Sequence, residues 1–231
     1  TNATTGVETR TAAGDYRVDQ VTVTNATTGV DAGDADSQWT VNGSTFDDTQ
    51  TGVDAGGAND DWTVTDSSFQ DTNVTSGSGS SASTGAVNAS STGGNWTVDS
   101  VTVRNLSTEG GSSAYGVDAS DSTGNWTVAG STVSNLSAET GTASAVVANG
   151  STGDWTVAKS TLQDIQNSPV RADSAGGNWT VNDSTIADIG AGGTADRNGI
   201  SAGESDGDWS VSNVTIDNVT DTGVLAPGTD G

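Results

Sequence analysis

Carboxylates are the chemical resource of this sequence. Thirty Asp and Glu stand against six Lys and Arg, for a net charge of −24. Some fall in pairs, as Asp47-Asp48, Asp60-Asp61 and Asp34 with Asp36. Paired carboxylates are what glycoside hydrolysis uses, one as general acid and one as base or nucleophile. Where acids are this frequent, such pairs arise by chance, and no pair here is assigned as catalytic. A more ordered set is Glu8, Asp31 and Asp54, each directly after a valine. Stacked on successive turns of chain, they would stand about 4.8 Å apart. Like charges that close repel unless a cation intervenes. Ca²⁺, which takes several carboxylate oxygens, is the expected guest, and no other cofactor is implied. Cys and His are both absent. That removes thiolate metal sites, disulfides and the commonest general base. Most asparagines lie in Asn-x-Ser/Thr sequons, and Asn73 and Asn149, in or beside irregular segments, are the expected glycosylation sites.

What must position these groups is a repeat. Gly124-Asn125-Trp126-Thr127-Val128 recurs around Trp96, Trp155, Trp179 and Trp209, more loosely around Trp39 and Trp62, and with tyrosine at Tyr16. Eight copies at spacings of 23 to 34 residues define a repeat protein. The phasing around the aromatic does not slip. Nine residues before it stands Val7, Val30, Val53, Val87, Val117, Val146, Val170 or Ile200, and two after it stands valine. Seven after it stands a large apolar residue, from Val23, Phe46 and Phe69 to Ile216. All length variation therefore falls in one segment of the repeat.

Each repeat holds three short runs of period two, rich in Val, Thr and Trp and bounded by Gly, Asn, Asp and Ser. Such runs read as strands. Nothing shows helical periodicity. Three strands in as few as 23 residues suit one turn of a right-handed parallel β-helix, whereas a propeller blade needs about 40 residues. The expected fold is one all-β domain over residues 1–231, about eight turns of three short strands, with no cap helix. Tyr16, Trp39, Trp62, Trp96, Trp126, Trp155, Trp179 and Trp209 then form an inward aromatic column. Burial of each ring is worth up to roughly 4–6 kcal/mol at about 25 cal/mol per Å². An outward column would instead be a sugar-stacking stripe, but it would expose the valine two residues on as well.

Nine residues after each aromatic stands Asn25, Asp48, Asp71, Asn105, Asn135, Asp164, Asp188 or Asn218. These short side chains tolerate the left-handed region and bond to nearby backbone, so they mark a corner. Stacked, they resemble the asparagine ladder of the pectate-lyase-like superfamily. The repeat as a whole resembles right-handed parallel β-helix proteins, especially the Thr-, Asp- and Gly-rich surface proteins of haloarchaea. That resemblance implies the fold and an extracellular or cell-surface location. It leaves function open, because the fold carries lyases, hydrolases, tailspikes, adhesins and inert stalks.

The acidic surface repels itself in dilute buffer and is screened at high salt. It disfavours nucleic acid as a partner. No apolar run is long enough to span a bilayer. The insertions Thr72–Ala86, Ser107–Tyr115, Ser137–Ser144 and Gly190–Asn198 all leave one corner, where repeat proteins often bind. The first of them reads as a flexible loop. The sequence starts without Met, which points to a removed leader or to an excerpt. Val7 at one end and Val224-Leu225 at the other occupy the same phase of the repeat. The expected function is therefore structural and non-enzymatic. Copies would assemble head-to-tail into a filament or surface stalk, with Val7 docking on Val224 and Leu225. The alternative is a polysaccharide-binding or polysaccharide-cleaving module whose partner is a surface glycan.

Overall fold

The computed structural model describes residues 3–10, 14–75, 83–190 and 196–228. Every strand pairing in it is parallel, and each repeat is one turn of a β-helix. The eight four-residue strands that begin at the aromatic, from Tyr16–Asp19 to Trp209–Ser212, form one sheet in strict register. Trp96 pairs with Trp126, Trp126 with Trp155, and Trp155 with Trp179. We call this the first face. No helix occurs among the described residues.

The second and third faces join in a single 16-stranded sheet rather than two. In the two turns of 23 residues they run together as ten-residue strands, Thr22–Asp31 and Thr45–Asp54. No insertion separates the faces there, so the ladder continues around the corner. In later turns the inserted residues divide the strand, as in Thr102–Glu109 followed by Ser113–Asp118. The segment Thr72–Ala86 is not a loop throughout. Strands Asn73–Thr75 and Ser83–Asn88 occupy its two ends, and 76–82 lie outside the described residues. Among the described residues the third face spans nine turns, from the strand holding Val7 to the one holding Val224, against eight for each of the others, with Asn73–Thr75 as an extra short strand beside residues 107–109.

Single residues in the left-handed region make all three corners. The second corner is Asn25, Asp48, Asp71, Asn105, Asn135, Asp164, Asp188 and Asn218, with φ between 48° and 57°. The first corner is Gln20, Gly43, Asp66, Ser100, Gly130, Lys159, Asp183 and Asn213. The third runs through Asp34, Gly57, Ser91, Asp121, Gly150, Ser174 and Glu204. One such residue reverses the side-chain alternation and turns the chain without a loop.

The interior is filled by columns of like residues. Trp39, Trp62, Trp96, Trp126, Trp155 and Trp179 are buried, with their valines two residues on at the same depth. Neighbouring indoles from Trp39 to Trp155 stack at 4.9–5.0 Å with planes within 5°. Phe46 and Phe69 stack in the same way at 4.9 Å. They fit because Gly29 and Gly52 lie under them, where an added Cβ would come within 2.3 and 2.2 Å of the rings. A buried serine column closes the first corner. The Ser131 hydroxyl donates to the Ala129 carbonyl (2.7 Å) and accepts from the Val101 amide (3.3 Å), and Ser160 serves Ala158 and Ser131 in the same manner. Backbone groups that the turn takes out of the ladder are thereby satisfied.

Candidate functional site

A long depression follows the first face. It is a groove of about 1010 Å³ running from Asp15 and Tyr16 to Asp208, Trp209 and Ser210. Because Trp and Val point inward, the intervening residues point out by strand alternation. Thr40, Thr63, Thr97, Thr127, Thr156 and Thr180 form a half-buried hydroxyl column along its floor. Beside them runs the residue that precedes each aromatic. The side-chain oxygen of Asp61 accepts the Asn95 amide at 2.9 Å, Asn95 accepts that of Asn125, and Asn125 that of Asp154. The series continues through Asn178 to Asp208 at 3.0 Å. This ladder fixes one side-chain oxygen each of Asp61, Asn95, Asn125, Asp154 and Asn178, all of which line the groove. The sequence shows its signal in the invariant Asn or Asp before Trp in the five closest copies, which reads there only as part of the repeat.

Glu8, Asp31 and Asp54 do stack on adjacent turns, through the pairings Glu8 with Asp31 and Asp31 with Asp54. Two of the three, Asp31 and Asp54, meet partners from the chain itself. The Arg10 guanidinium lies 2.5 Å from Asp31 and 3.9 Å from Asp54, and the Asn88 amide donates to Asp54 at 2.9 Å. The hydrogen bond and charge of Asp31 hold Arg10 above its ordinary pKa. Among the described residues no group of three acidic side chains converges as metal ligands do. Arg10 thus bridges two of the three acids, and no part of the repeat pattern marks it.

The same column continues to Asn88 and Asp118. Asp118 is largely buried, and burial pushes its carboxyl above the ordinary value; the Ser120 hydroxyl and amide pull the other way, and Asp121 adds to the rise. Its folded pKa therefore exceeds its unfolded one. The native state binds more protons between the two values, so stability falls as pH rises through that window. Asp118→Asn keeps the acceptor for Ser120 and removes the charge. We expect a higher melting temperature for this variant at neutral pH, and a flatter stability profile across the acid range where Asp118 titrates. Thermal melts from acid to neutral pH check both.

Four of the six paired acids have structural roles. Asp36 accepts the Asn59 amide at 3.1 Å, Asp61 belongs to the groove ladder, and Asp34 and Asp48 make corners. The second-corner ladder bonds where asparagine follows an acid or amide. Asn105 donates to Asp71, Asn135 to Asn105, and Asn218 to Asp188, at 2.6–2.7 Å. The Asn149 sequon is built into the wall: Asn149 accepts the Asp173 amide at 3.0 Å, and Ser151 is buried, accepting from the Trp126 indole. Asn73 opens a strand, and its side chain lies outside the described ones. Val7 and Val224 are half-buried and Leu225 is 37% exposed. No protein-family model, curated protein or solved structure matches the chain.

Proposed function

We propose that the protein is an extracellular structural rod of a salt-rich surface, a stalk, adhesin or filament subunit that continues end to end through a second copy. The observation that carries this reading is Trp209. It is 38% exposed, where the six indoles before it are buried, and it stacks on Trp179. A further aromatic turn of the same geometry covers it. The half-buried Tyr16 turn of another copy is such a turn. The net charge of −24 suits a surface screened by salt.

The strand count alters the expected joint. Docking Val7 on Val224 continues the third face but leaves one turn missing from the other two, because only the third face spans nine turns. A joint that continues all three faces sets Tyr16 of the second copy on Trp209. The strand Val224–Leu225 then takes the place of the second copy's Ala3–Glu8 strand beside Val30. No residue of that strand is fully buried, whereas Val30 and Asp31 of its neighbour are, which favours its replacement. Contact of this kind does not close on itself and yields filaments. In the electron microscope at high protein concentration and molar salt, we expect rods in multiples of roughly 40 Å, taking about 4.8 Å per turn. Val224→Asp should shorten them to single units. Wild-type protein that stays monomeric under these conditions overturns the proposal.

The first-face groove favours a second reading, an extended polysaccharide held by the amide, carboxylate and hydroxyl columns. Incubation with neutral and acidic glycans separates the two readings. New reducing or unsaturated ends, or retention of the chain on the glycan, would support the second.

A further inference from the structure

Eight aromatic rings stand in one unbroken file. The spacings are 6.1 Å from Tyr16 to Trp39, 4.9–5.2 Å along the indoles to Trp179, and 5.4 Å to Trp209, with all planes within 13° of parallel. Three further observations bear on what such a file can do. The chain has no Cys, Met or His, so its readily oxidised side chains are its seven Trp and two Tyr. In the single chain, with no second copy docked on it, Trp209 is the only one of the indoles open to solvent, and the other six are at most 3% exposed. The indole N–H groups of Trp39, Trp62, Trp155 and Trp179 are buried without a hydrogen-bond partner, while those of Trp96 and Trp126 meet only the hydroxyls of Thr92 and Ser151.

We propose that the column conducts one-electron oxidising equivalents from Trp209 to Tyr16. A one-electron oxidant in solution removes an electron from Trp209 and is itself reduced. The resulting indole radical cation takes an electron from Trp179, and the vacancy moves ring by ring toward Trp39. An indole radical cation is a strong N–H acid, and loss of that proton would trap the vacancy as a neutral radical. The interior offers no base to take it, so the charge passes on instead. At Tyr16 the situation changes. Its hydroxyl lies 2.9 Å from that of Thr9, whose single hydrogen is taken by the Asp31 carbonyl, so the phenol hydrogen is the one between them, and the residue is only half-buried. Tyr16 gives its electron to Trp39 and its proton to water, ending as a neutral phenoxyl radical. The net step is one electron to the oxidant and one proton to solvent. With no sulfur or imidazole to intercept it, an oxidising equivalent that lands on Trp209 leaves the interior along this file.

The test uses the whole chain carrying Tyr115→Phe, so that Tyr16 is the only phenol. Flash-generated tris(bipyridine)ruthenium(III) serves as oxidant, and the indole and phenoxyl radical absorptions are followed in time. We expect the phenoxyl band to grow as the indole band decays, with one rate constant independent of protein concentration. Trp126→Phe keeps a ring in the stack but removes an oxidisable one, doubling the hop, and the slow-growing phenoxyl signal should be lost. Trp209→Phe, at the exposed end where folding is least at stake, should remove the early indole signal. Circular dichroism confirms that each variant is folded. Phenoxyl growth that is unchanged in folded Trp126→Phe, or that scales with protein concentration, overturns the proposal.

Discussion

Gly124→Ala should unfold the middle of the rod. An added Cβ at Gly124 would sit 2.0 Å from the Gly94 carbonyl oxygen of the turn beneath. The obstacle is backbone rather than the end of a side chain, so no rotamer change relieves it. The next turns repeat the contact, with Gly153 over the Gly124 carbonyl and Gly177 over that of Gly153, both at 2.0 Å. Separating two turns here would break the adjoining strand pairs on the first face. Overpacking a well-packed core costs about 1–3 kcal/mol, and a backbone clash belongs at or beyond the top of that range, about 3 kcal/mol or more. Gly111→Ala is the matched control. Nothing lies within 4 Å of a Cβ there, and its effect should fall within about 0.5 kcal/mol of zero. Denaturant melts of the two variants, read side by side, check the expectation.

The second large effect is at Trp126, which is 2% exposed and stacked on both sides, at 4.9 Å to Trp96 and 5.0 Å to Trp155. Trp126→Ala removes an indole from the middle of the column, and the rigid turns on either side cannot collapse into the space. Removal of a large core aromatic costs about 3–5 kcal/mol. It also removes the indole donor from the Ser151 hydroxyl, which keeps its own bond to the Ser122 carbonyl. Trp126→Phe keeps a stacked ring and should cost much less. If both variants melt as wild type does, the column does not carry the stability assigned to it.

The sequence discloses much of this fold because a solenoid repeats its own evidence. Fixed offsets from the aromatic identify the inward Trp, Val, Ser and Ala positions, and those columns are buried. The second corner is legible because only Asn and Asp occupy it. The first and third corners are not, since Gln20, Lys159, Ser91 and Glu204 share the left-handed conformation without sharing a side-chain type. There the backbone imposes the conformation, and the side chain merely tolerates it. The joined strands Thr22–Asp31 and Thr45–Asp54 are likewise hidden, because the sequence marks a corner but not whether pairing survives it. Arg10 reaches Asp31 across 21 residues, a contact that depends on turn stacking and on nothing local. The groove ladder was visible as Asn or Asp before Trp. Its role needed the register that brings each side-chain oxygen under the next turn's amide.

An inward, stacked column whose only exposed indole is Trp209 holds the fold together, and hydrogen exchange of the indole N–H groups tests this most directly. Seven indole resonances are expected from the seven tryptophans. The account predicts that Trp209, at 38% exposure, exchanges rapidly, while the six buried indoles exchange only through opening of the solenoid. Trp96 and Trp126 donate to hydroxyls and Trp39, Trp62, Trp155 and Trp179 do not, so shared protection of all six would show that burial rather than hydrogen bonding shields them. Seven indoles exchanging at the rate of free tryptophan would contradict the column, and with it the parallel stack that it holds together.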